Sequence, residues 1–88
     1  MDHTLSHAKN PLMGWDIAAF SKADMGEKIS RAEIIVNGFS RYDKTFDSPL
    51  NQWQHQLQQQ GQYPGDNVTR LKITDDKGNV TEAEDSWS

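Results

Sequence analysis

The most periodic stretch of the chain is Leu50, Trp53 and Leu57, three apolar residues spaced i, i+3 and i+7 in a run that is otherwise mostly glutamine. That spacing places them on one face of a helix. Ser48 stands where an N-cap belongs, Pro49 at the first helical position, and Gly61 where a left-handed C-cap closes the segment. A helix over 48–61 is expected, with Trp53 anchoring its apolar face and glutamines covering the other.

The other segments read as strands. Trp15, Ile17 and Ala19 alternate over 14–20, with Phe20 on the opposite face. Residues 27–37 satisfy two patterns. Asp24 and Glu27 have capping-box spacing, and Ile29, Ala32 and Val36 helical spacing. The β-branched run Ile34-Ile35-Val36 favours a pleated surface. Asn37-Gly38, the dipeptide of a two-residue hairpin turn, decides for strand 28–36 and strand 39–46. A tight register then pairs Val36 with Phe39, Ile34 with Arg41 and Ala32 with Asp43, and sets Arg31 against Lys44. That last pair is unfavourable, and a bulge would relieve it. Residues 68–74 form a strand with Leu71 and Ile73 inward. Residues 80–84 form an edge strand whose acids discourage further pairing.

Together these predict an α+β fold: a small antiparallel sheet of four to five strands, ordered β-β-β-α-β-β, with one helix packed on one face. Trp53, Leu50 and Leu57 should meet Ile34 or Ile35, Leu71 and Ile73. Residues 1–11, polar and ending in Asn10-Pro11, are expected to be a flexible lead. A single domain should fill 12–85, and 86–88 should be a tail whose Trp87 folds back on the sheet.

Charge narrows the partners. The 88 residues carry a net charge of −4, and it is unevenly placed. Acids and bases cancel over 1–74, whereas Asp75, Asp76, Glu82, Glu84 and Asp85 face only Lys77 in the remainder. Duplex DNA is therefore not an expected partner, since phosphate binding needs a basic surface. The absence of cysteine rules out disulfides, thiolate metal sites and thiol nucleophiles. No apolar run is long enough to cross a membrane and no secretory pattern opens the chain, so a cytoplasmic protein is expected.

Candidate chemistry is sparse. His3 and His7 lack a third metal ligand. His55 lacks a neighbouring nucleophile and orienting carboxylate. Asp75, Asp76 and Asn79 lack the alternating ligands of a calcium loop and read as a turn. Asn67-Val68-Thr69 fits a glycosylation acceptor in form alone. No cofactor, metal or catalytic residue is expected.

The leading reading is a small acidic, non-catalytic protein–protein interaction module, an adaptor or stoichiometric inhibitor. Another protein would be its partner, and self-association as a homodimer fits the same features. The contact residues expected are Gln52, Gln56, Gln59 and Tyr63, from a segment without charge whose amides both donate and accept. The alternative is a single-stranded nucleic-acid-associated protein gripping its ligand through Arg31, Arg41, Tyr42 and Lys44 of the hairpin. A small enzyme comes third.

Overall fold

The computed structural model describes residues 1–88 and contains seven strands and no helix. They are β1 (Asp2–Lys9), β2 (Trp15–Lys22), β3 (Ile29–Val36), β4 (Phe39–Leu50), β5 (Gln52–Gln60), β6 (Asn67–Asp75) and β7 (Val80–Trp87). A three-stranded antiparallel sheet, β1-β2-β5, lies on a four-stranded one, β4-β3-β6-β7. Seven strands in two antiparallel sheets is the sandwich architecture that immunoglobulin-like domains also use, and it carries no function by itself.

The α+β expectation is therefore corrected to all-β. The segment expected as the helix 48–61 is the end of β4 followed by β5. Trp53 and Leu57 are four residues apart, which is one helical turn and also two periods of a strand. What separates the two patterns is His55, half-buried between them, so that Trp53, His55 and Leu57 alternate inward while Gln52, Gln54, Gln56 and Gln58 point to solvent. Pro49 lies in an irregular stretch of β4, where the register with β3 jumps from Ile29↔Leu50 to Arg31↔Thr45. An edge strand tolerates proline at such a break. Gln59, and not Gly61, takes the left-handed conformation, at φ 57°.

The β3–β4 hairpin turns on Asn37 and Gly38, both at positive φ, with Val36 opposite Phe39. A bulge follows at Arg41, so Ile34 pairs with Tyr42 instead of Arg41, and Ala32 with Lys44 instead of Asp43. The extra residue turns an aromatic ring to the inner face and sets Arg31 against Thr45, free of Lys44. The lead expected over 1–11 is instead largely β1, paired with β2 from Asp2↔Lys22 to Lys9↔Trp15. Ser86 and Trp87 of the expected tail belong to β7, and Trp87 is buried.

The core forms between the inner faces: Ile17, Ala19 and Trp53 from one sheet, and Ile29, Ala32, Ile34, Val36, Leu71, Ile73 and Trp87 from the other. Trp53 thus joins Ile34, Leu71 and Ile73 in one cluster, as expected of it, from a strand instead of a helix. The sheets meet along two seams. At the first, no backbone ladder joins β1 to β7, and imidazoles span the gap. His7 Nδ1 donates to Asp85 Oδ2 at 2.6 Å, and His3 Nε2 shares a hydrogen bond with Thr81 Oγ1 at 2.9 Å. His7 also stacks on Trp87, beside Trp15. At the second seam the chain passes from β4 to β5 through Asn51. Tyr42 packs against Trp53 and His55 there, with its ring 4.0 Å from the imidazole.

Candidate functional site

The side chains on the outer face of β1-β2-β5 form rows set by strand pairing. Thr4 lies opposite Phe20, and Phe20 opposite Gln54. Ser6 lies opposite Ala18, and Ala18 opposite Gln56. These six residues, with Ala19 and His55 between the rows, line an open groove of about 540 Å³. Its floor is Ala18 and Phe20; its walls are the hydroxyls of Thr4 and Ser6 on one side and the amides of Gln54 and Gln56 on the other. His55 is the one ionisable residue of that lining, in a chain where 25% of residues are charged. Charges appear only at the ends of the face. Asp2 and Lys22 are paired with one another in the strand register beside Gln52. At the far end Asp16 accepts from Asn10 Nδ2 at 2.8 Å and from the Gln59 amide at 3.0 Å. Those bonds, Asn10 first, hold its carboxyl below the usual range.

Of the expected contact residues, Gln52 and Gln56 are exposed on this face. Gln59 stands at the irregular end of β5. Tyr63 lies in the following loop, half-exposed, beside a smaller groove of about 130 Å³ shared with Phe39, Arg41 and Gln60. Strand pairing therefore gathers two of the four and separates the others. It adds Thr4, Ser6, Ala18 and Phe20, which local sequence did not mark. The available signal was the alternation of Thr4, Ser6 and Ala8 with His3, Leu5 and His7, and the placement of Phe20 opposite to Trp15 and Ile17.

The hairpin residues are drawn into different contacts. The Arg31 guanidinium is held by Asp43, with two hydrogen bonds of 2.9 and 2.6 Å. Tyr42 is turned inward and accepts a 3.3 Å bond from Trp53 Nε1. Arg41 lies over the Phe39 ring and Lys44 over the Phe46 ring. The four do not form one cationic surface with an open aromatic ring, which stacking on a base requires.

The pieces of a nucleophilic relay are divided. His3 Nδ1 is 2.8 Å from Ser21 Oγ, while the carboxylate partner, Asp85, is on His7. Ser21 is 0% exposed, so no substrate atom reaches it. Burial lowers the pKa of His3, and burial with nearby Lys44 lowers that of His55. No group of three or more His, Cys, Asp or Glu side chains is placed to hold a metal ion. Asp75 accepts from the Lys77 and Asn79 amides at 2.9 and 2.8 Å and from Asn79 Nδ2 at 3.0 Å, with Asn79 the main cause of its lowered pKa. It closes the β6–β7 turn, as the plain-turn reading has it. Asn67 is 1% exposed and its amide nitrogen donates to the Tyr63 and Gly65 carbonyls, so the folded chain offers no acceptor there for a glycan. No helix is long and apolar enough to cross a membrane. Compared with known proteins, the chain matches no family model and no curated protein.

Proposed function

We propose that the protein works by binding another protein, without catalysis, and that the contact surface is the outer face of β1-β2-β5. The observation that carries this is the composition of the groove: an apolar floor of Ala18 and Phe20 inside a rim of neutral hydroxyls and amides. Protein interfaces share that anatomy, an apolar centre depleted of charge and enclosed by polar groups that hydrogen-bond at the edge. Phe20 is the anchor, because aromatic residues at the centre of such patches carry most of the binding energy. Gln54 and Gln56 supply donors and acceptors together, which suits a partner's backbone or uncharged side chains. An adaptor or stoichiometric inhibitor fits a small acidic chain of this kind, and the cytosol is the compartment this reading assumes.

The test is affinity capture from the native host, comparing the natural chain with Phe20→Glu and Gln54→Ala. A specific partner should be retained by the natural chain. With that partner purified, calorimetry should show Phe20→Glu weakening binding by about tenfold or more, the loss of a central anchor. If the partner binds the folded Phe20→Glu variant undiminished, or none is captured, the proposal fails.

A further inference from the structure

Every open sheet has two edges, and exposed edges are templates for pairing with another chain unless something guards them. This sandwich has four: β1 and β5 on one sheet, β4 and β7 on the other. Three are managed. The β1 and β7 edges face one another across the seam bridged by His3 and His7. The β4 edge is broken by two irregularities, carries Pro49, and bears Arg41, Asp43, Lys44 and Asp47. The fourth, β5, has the sequence Gln-Trp-Gln-His-Gln-Leu-Gln-Gln-Gln, with no formally charged residue, no proline and no glycine. It pairs with β2 on one side; on the other it faces β4 across the second seam, where no backbone ladder joins them and one side-chain hydrogen bond, Trp53 Nε1 to Tyr42, crosses.

We infer that β5 is a dimerisation edge, pairing antiparallel with β5 of a second copy to make a continuous six-stranded sheet, β1-β2-β5-β5-β2-β1. Charge argues for a copy of the same chain as occupant. Two molecules of net charge −4 repel one another over most of their surfaces, and the uncharged β5 edge is where they approach without setting like charges side by side. Glutamine is also self-complementary: each amide donates and accepts, so an identical side chain across the strand boundary satisfies it.

The geometry fixes the register. β5 is bounded by the crossing at Asn51 and by Gln59, whose φ of 57° interrupts the extended backbone. The regular part is 52–58, and a two-fold axis through its middle passes beside His55. Antiparallel pairing about that point sets Gln54 of one copy opposite Gln56 of the other, Gln52 opposite Gln58, and Trp53 opposite Leu57. The outer face then carries an unbroken glutamine row across the boundary and joins the grooves of the two copies. Tyr42 packs on His55 from the inner side, and no backbone ladder joins β4 to β5.

The test is sedimentation equilibrium on the full chain, with circular dichroism to confirm the β fold of each variant. The natural chain should sediment at twice the 10.0 kDa of one chain. Gln54→Lys with Gln56→Lys puts like charges across both symmetry-related pairs and should give monomer. Gln54→Lys with Gln56→Glu puts opposite charges across the same pairs and should restore dimer. Both changes are on exposed positions, so neither disturbs the core. A monomeric natural chain overturns the inference, and so does a dimer that survives the double lysine substitution. A double lysine variant and a lysine–glutamate variant that behave alike overturn the register. Mass is read without any partner present, so failure here is distinct from failure of the groove to capture a protein.

Discussion

Thr69 sits on the inner face of β6, 0% exposed, and its Oγ1 has no hydrogen-bond partner. A threonine in a sheet interior ordinarily donates to something, and its exchange for valine then costs stability. Here the hydroxyl has been taken from water with nothing in return, so Thr69→Val should stabilise. Removing an orphaned buried hydroxyl recovers roughly 1–3 kcal/mol of desolvation. The added methyl contributes about 0.8 kcal/mol where there is room for it. Valine keeps the branched β-carbon that the strand favours. Allowing for partial relaxation around the hydroxyl, the net gain should be about 1–2 kcal/mol, a rise in melting temperature of roughly 5–15 °C for a chain of this size. Thr69→Ser serves as the control, since it keeps the hydroxyl and deletes the methyl, and it should destabilise by about 0.5–1.5 kcal/mol. Urea unfolding followed by tryptophan fluorescence measures both. A valine variant less stable than the natural chain would mean that the hydroxyl is bonded, and the reasoning would be wrong.

Other expectations follow from side chains with many partners. Asn67→Ala removes the acceptor of the Tyr63 amide and of Asn37 Nδ2 in a nearly closed site, and should cost about 2–3 kcal/mol in urea unfolding. Trp87→Ala empties a site 5% exposed between His7 and Trp15, and should cost about 3–5 kcal/mol; deleting 86–88 should lower the melting temperature likewise. Stability should fall with acidity in a defined window. His3 and His55 both have folded pKa values depressed by burial, so the folded state favours their neutral form. Their contribution is complete above the unfolded pKa of about 6.5 and is lost as pH falls through it toward the lower folded values. The urea midpoint should therefore drop as pH falls below about 6.5, and the drop should shrink in a His3→Gln, His55→Gln variant.

What was legible in the sequence was local. Asn37-Gly38 announces its turn because only residues at ease with positive φ fit there. The β-branched run before it and the alternation of Leu71 and Ile73 need no distant information. The segment 48–61 misled because its two largest apolar residues are four apart and its capping signals are incidental. A histidine counted as polar was in fact the third inward residue. The same happened at the start of the chain, where His3 and His7 fell within the expected flexible lead. Their reason for pointing inward is a set of partners on β7, 78 residues away in both cases, and no local pattern reveals that. The candidate site was half visible for a like reason. The neutral amides of Gln52 and Gln56 are evident in one segment, but the Ala18–Phe20 floor and the hydroxyl wall come from β2 and β1 through pairing.

The seam between β1 and β7 makes the molecule's cohesion uneven. The first strand has a full ladder on one flank and two imidazole bridges on the other, so it should open before any strand fastened by backbone on both sides. In hydrogen exchange its amides would trade protons as a group, well ahead of β3 and β6 at the middle of their sheet. Acid, by charging the His3 ring whose pKa burial lowers, would weaken one of the two bridges that hold the opening strand of the chain.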